Sequence, residues 1–172
     1  MAIDTSNTEF EQVKKLYFFF AIAMGCMWVP HFLPVFAGSV LLLVATVKCY
    51  KRRKQVPDTV YENHYQWLIR TFWVGTAVVM PLATMAATVY IFKNSDLAYL
   101  QKLFDMGVAA NFEISWFEDA LKAYYADNIK MLLTATIPAG GFVLFWWFGR
   151  LIKGYKRLKM NMHLPFVTSW LF

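Results

Sequence analysis

This chain reads as an all-α polytopic integral membrane protein, a helical bundle of four transmembrane helices with an extracytoplasmic amphipathic helical insert. Three features lead there: a composition too apolar for a soluble domain, three long stretches nearly free of charge, and basic clusters at one end of them. Of 172 residues, 59% are hydrophobic, 19% aromatic and only 16% charged. A soluble domain carries roughly 45–50% apolar and about 25% charged residues. These figures exclude disorder, a disulfide scaffold and, despite a net charge of +6, a soluble nucleic-acid binder. The basic excess points instead to an anionic membrane surface. Cys26 and Cys49 sit in or beside apolar runs without a CxxC, and read as small buried hydrophobes.

The first apolar stretch, Leu16 to Val47, has no ionised side chain across 32 residues. One straight helix of that length would measure about 48 Å, against a bilayer core of roughly 30 Å. Pro30 and Pro34 interrupt it, removing backbone donors and restricting the residues before them. The reading is a short hairpin, with arms 13–29 and 35–50 and His31 capping or solvated at the turn. A single kinked, tilted helix is the alternative. The second stretch, 67–92, carries only Arg70 near its start, and the third, within 131–150, is uncharged from Met131 to Phe148. Each is long enough for one span. Lys14-Lys15 before the first run superficially suits a signal peptide, but Asp4, Glu9 and Glu11 precede the pair, so an uncleaved segment is expected.

Charge gives the orientation. Lys48, Lys51, Arg52, Arg53 and Lys54 follow the first stretch, and Arg150, Lys153, Lys156, Arg157 and Lys159 follow the third. Residues 93–130 hold four Lys and six acids. The positive-inside rule makes loop 51–66 and tail 151–172 cytoplasmic, and 93–130 an extracytoplasmic insert. A C-terminus in the cytoplasm of a multi-pass protein follows. With four helices the N-terminus is cytoplasmic too; with three it is outside.

Within the insert, Asn94-Ser95-Asp96 supplies an N-cap for a short helix with Leu97, Leu100 and Phe104 on one face, ending at Gly107. Ser115-Trp116-Phe117-Glu118 has the form of a capping box, S-x-x-E, opening a second helix. That helix sets Trp116, Phe117, Leu121, Tyr124 and Tyr125 against Asp119, Lys122 and Asp127. It reads either as a lid over helix ends or as a docking surface for an extracytoplasmic partner.

The most distinctive string enters the second stretch from the cytoplasm: Glu62-Asn63-His64-Tyr65-Gln66-Trp67-Leu68-Ile69-Arg70-Thr71-Phe72-Trp73. Glu62, Gln66 and Arg70 share a helix face, and Trp67 and Trp73 suit the interfacial aromatic belt. A second string closes the third stretch, Trp147-Phe148-Gly149-Arg150-Leu151-Ile152-Lys153-Gly154-Tyr155-Lys156-Arg157-Leu158. Arg150, Lys153 and Arg157 fall on one stripe. With Arg70, His64 and Lys51 to Lys54 they are expected to form a basic rim contacting anionic lipid at about 1 kcal/mol per charge. A sharper alternative makes Glu62, His64 and Arg70 a polar cluster for a partner segment or a lipid headgroup. His64 lacks a second ligand at metal spacing, and no cofactor is implied.

The pair of strings resembles a family of small bacterial inner-membrane proteins to which no reaction is assigned. That family is distantly similar to the membrane core of the chloroplast inner-envelope protein-import component. The resemblance runs in outline from Pro30 to Leu158 and is tight at 62–73 and 147–158. It implies a helical bundle and brings no chemistry with it. The 93–130 insert is longer than the family's usual outer loop.

No phosphate-binding loop, nucleophile with its base, or carboxylate pair occurs in this sequence. The expectation is therefore a non-enzymatic scaffold or accessory subunit of a membrane complex, touching lipid and another membrane protein or a second copy, without nucleic acid. A small transporter or channel subunit is the rival, resting on Thr134 to Gly141, where Pro138, Gly140 and Gly141 either unwind the helix or let it pack closely. A membrane enzyme comes third.

Overall fold

The structure, a computed structural model, describes residues 5–29, 31–95, 97–109 and 114–165, and the side chains among them other than those of 5, 6, 97–100, 102, 103 and 114–117. The described residues are helix and turn without a strand: α1 (Thr5–Met27), α2 (Phe32–Arg53), α3 (Val60–Val74), a π-helical turn (Gly75–Val79), α4 (Met80–Asn94), α5 (Leu97–Ala109) and α6 (Ile114–Lys159). Three helical runs among them are long and apolar enough to cross a membrane: Phe32–Arg53, Val60–Asn94 and Glu118–Lys159. The chain divides into two compact units, Met1–Met80 with Val143–Phe172, and Pro81–Phe142.

In the first unit, the apolar run 16–47 is two helices. His31 adopts an extended conformation (φ −147°, ψ 139°) and its Nδ1 accepts from the Leu33 N–H at 3.3 Å, so it N-caps α2. The returning arm starts at Phe32, three residues before the expected 35, with Pro34 inside its first turn. The first helical N–H groups have no intrahelical acceptor, so a proline there forfeits nothing. The α1 side chains Val13, Leu16, Tyr17, Phe20, Ala23 and Met24 are buried at helical spacing. α1 packs on α2 and both pack on α3. Gly38 lets α2 come close to the α1 backbone: a Cβ there would lie 2.7 Å from the Ala23 carbonyl oxygen. On α2, Phe32, Phe36, Val40, Leu43, Val44 and Val47 remain exposed, as a bilayer-facing stripe requires.

α3 passes into α4 through the π turn, where the Met80 N–H reaches the Gly75 carbonyl. The extra residue sets Gly75 against the Trp147 ring, where a Cβ would collide. At the far end of α6, the Met162 N–H bonds the Arg157 carbonyl and the Asn161 N–H the Leu158 carbonyl, both at 3.0 Å. With Asn161 left-handed (φ 51°), this is a Schellman cap. It turns the chain back at Met160.

In the second unit, Asn94 and Ser95 do not open α5 as expected. The Asn94 amide donates to the Tyr90 carbonyl and the Ser95 hydroxyl to that of Ile91, each at 2.8 Å, so both close α4. Asp96 lies outside the described residues. α5 continues past Gly107 to Ala109. The helix expected after Ser115 is not a separate element: α6 runs unbroken from Ile114 to Lys159. Residues 118–136 contain no Gly or Pro, so nothing stops the helix before the third apolar stretch. It stays helical through Pro138, Gly140 and Gly141 as well.

Gly38→Ala is expected to lower stability by about 1–2 kcal/mol, because overpacking outweighs the helix-propensity gain of about 0.5–1 kcal/mol. Gly25→Ala, where a Cβ meets nothing within 4 Å, should leave stability unchanged or raise it. Thermal unfolding of both variants in nanodiscs checks the contrast.

Candidate functional site

The two distinctive strings meet in the first unit. Thr59 N-caps α3, its hydroxyl oxygen accepting from the Glu62 N–H at 3.2 Å. The Glu62 carboxylate accepts from the Asp58 N–H at 2.8 Å and from Arg53 Nε at 3.2 Å. Glu62 therefore belongs to the helix start, a Thr59-x-x-Glu62 capping arrangement that sequence reading passed over. Its partners are not His64 and Arg70.

From that start, α3 directs His64, Trp67 and Thr71 to one buried face (i, i+3, i+7). Arg150 of α6 lies on it, fully buried rather than at an exposed rim. Its guanidinium carbon sits 3.7 Å from the Trp67 ring centre and 5.3 Å from that of Trp146. Arg150 Nε donates to the Thr71 hydroxyl oxygen at 3.1 Å. Trp67 Nε1 donates back to the Arg150 carbonyl at 3.1 Å. A desolvated guanidinium on an indole is worth about 2 kcal/mol, while the desolvation itself costs several. Arg150 is thus retained by several contacts acting together.

His64 extends the cluster in two directions. Its Nε2 lies 3.2 Å from the Met162 carbonyl and its Nδ1 2.9 Å from the Tyr17 hydroxyl. A carbonyl only accepts, so Nε2 carries the hydrogen, and Nδ1 of the neutral ring accepts the hydrogen bond donated by the Tyr17 hydroxyl. Tyr17 fits because Gly154 leaves room for its ring. Beside His64, the Asn63 side-chain oxygen accepts from the Leu164 N–H at 2.8 Å, holding the returned tail. At the edge of the cluster Glu9 accepts from the Tyr65 hydroxyl at 2.9 Å and from Arg52 at 3.4 Å.

The remaining expected residues separate. Arg70 is half-buried and lines a recess of about 410 Å³ with Tyr50, Arg53, Gln66 and Trp73. Lys153 is half-buried, and Arg157 donates to the His163 carbonyl at 3.1 Å. In the second unit Leu121 and Tyr125 are exposed, while the Tyr124 hydroxyl lies 3.4 Å from that of Ser95. The side chains of Trp116 and Phe117 lie outside the described residues. Sequence reading missed Tyr17, Thr71 and Glu9. The signal for Arg150 was present, since it adjoins the apolar stripe Trp147, Leu151, Gly154 and Leu158 on α6.

This arrangement binds helices to one another; its polar groups face each other across the core. Arg150→Lys, which loses the flat stack and the fork of donors, should lower stability by about 2 kcal/mol. Lys153→Ala should stay within about 0.5 kcal/mol of the parent, and thermal unfolding separates the two. Asn63→Ala should speed hydrogen exchange at the Leu164 amide while leaving the interior of α3 protected, as read by mass spectrometry. No protein-family model, curated protein or solved structure matches this chain.

Proposed function

We propose that this chain is a non-enzymatic scaffold or accessory subunit of a membrane complex, embedded in the bacterial inner membrane with its C-terminus in the cytoplasm. In this reading α1 is a fourth span beside the three long apolar helical runs, and the segment around α5 and the start of α6 is extracytoplasmic. The observation that carries it is the closure of the polar cluster. His64 and Arg150, the residues with most chemical capacity, are fully buried, His64 bonded to Tyr17 and Met162 and Arg150 to Thr71 and Trp67. The surface left for recognition is apolar and aromatic, with basic groups at the ends of α2 and α6.

Membership in the bacterial family is part of the proposal. It is supported by the strings 62–73 and 147–158, which carry the resemblance and supply most of the cluster. An unbroken helix through Thr134 to Gly141 favours a scaffold over a carrier whose pathway opens there. Exposed Leu121 and Tyr125 support a partner contact at the outer segment.

Native mass spectrometry of the complex extracted into lipid nanodiscs tests this reading. The expected spectrum contains a second membrane protein at fixed stoichiometry, lost when Leu121→Asp and Tyr125→Glu are combined. A spectrum with copies of this chain alone would overturn the accessory-subunit assignment.

A further inference from the structure

Two adjoining recesses on the first unit differ in chemistry. One, of about 390 Å³, is lined by Gln12, Lys15, Lys48, Lys51, Arg52 and Gln55 over a floor of Leu16 and Phe19. No carboxylate lines it. Among the described residues, Lys15, Lys48 and Lys51 form no salt bridge, whereas Arg52 is held by Glu9. Lys48 instead sits 5.9 Å from the Phe19 ring centre. The second recess, of about 440 Å³, shares Lys15 and Phe19 with the first, has the Glu11–Lys14 ion pair on its lining, and continues between α1 and α6 along Phe18, Ala21, Phe148 and Ile152.

Bases in the last turn of a helix are ordinary, since they complement its dipole. That accounts for Lys51 and Arg52, but not for Lys15 of α1 or Lys48, which bring further positive charge to the same recess. Like charges so placed repel unless an anion sits among them. A free phosphate would use the basic recess alone, whereas an amphiphile uses both.

We infer that these recesses form one binding site for an anionic phospholipid, the phosphate among Lys15, Lys48, Lys51 and Arg52 and an acyl chain along Phe18, Ala21, Phe148 and Ile152. The site takes Lys51 and Arg52 from the expected basic rim and adds Lys15 and Lys48, while Arg70, Lys153 and Arg157 line neither recess. The inference rests on the proposed membrane placement, in which this end of α1 and α2 meets the cytoplasmic leaflet, where anionic lipid attracts basic groups.

Lipid retention on the full chain tests it. Protein is reconstituted in nanodiscs of phosphatidylcholine mixed with phosphatidylglycerol, and the lipids still bound after gentle ejection are counted by native mass spectrometry. The wild type should retain phosphatidylglycerol in preference to phosphatidylcholine. Each of Lys15→Gln, Lys48→Gln and Lys51→Gln should weaken that retention about 5-fold, and the triple variant on the order of 100-fold. Ala21→Trp, which fills the apolar recess without removing a charge, should also reduce it, and keeps the test decisive if the triple variant fails to fold. Equal retention of both lipids, or unchanged retention in the triple variant and in Ala21→Trp, overturns the site. So does inorganic phosphate that displaces the bound anion while Ala21→Trp has no effect, which identifies a phosphate site instead. A partner protein appears as a separate mass, so loss of the lipid site and loss of the subunit assignment are read independently.

Discussion

The first unit depends on a guanidinium laid flat against an indole inside a helical bundle. Removing an arginine from water costs several kcal/mol, more than any one contact returns. Arg150 accepts that cost because the Trp67 face, the Thr71 hydroxyl and the backbone bond from Trp67 converge on it. Each needs the others in register, so the pairing sets the rotation of α6 against α3. Gly75 of the π turn faces the Trp147 ring of α6, and Gly154 of α6 faces the Tyr17 ring of α1, each too close for a Cβ. The π turn at Gly75 is the local irregularity by which α3 receives Trp147.

Much of this is legible in the amino-acid sequence. Apolar runs and the proline pair mark the three helical runs long and apolar enough to cross a membrane and the break between α1 and α2, because length and missing N–H groups act locally. His31 at that break was readable as a cap. The inward turn of Arg150 was not, because its spacing with Lys153 and Arg157 looked like an exposed basic stripe. Deciding between faces required weighing Trp147, Leu151, Gly154 and Leu158, an apolar stripe that only packing gives a partner. Glu62 misled for another reason: a carboxylate at helical spacing from Arg70 was also three residues after Thr59, and the local cap prevailed. The Ser115 box promised a separate helix, yet the sequence beyond it offers nothing to stop one.

The polar groups divide by purpose. Those in the core, His64, Thr71, Tyr17 and Arg150, answer one another and fix helix against helix. Those near the helix ends, Lys15, Lys48 and Lys51, are exposed and form no salt bridge among the described residues.

The grip of Asn63 and His64 on the chain's last described turn also bears on how this molecule is made. Leu164 lies 101 positions after Asn63, and Met162 lies 98 after His64. The N-terminal helices leave the ribosome with the buried face of α3 still uncovered, and Trp67 and Thr71 wait for Arg150 while the whole intervening unit is synthesised. Long-range pairings of this kind close late, since the intervening loop must be ordered first. Until α6 arrives, α1 and α2 are the only described partners α3 has, with Tyr17 the one side chain able to occupy His64. Completion of the first unit is thereby tied to synthesis of α6 and the turn that follows it, and a polypeptide released before them would leave the His64, Trp67 and Thr71 face uncovered.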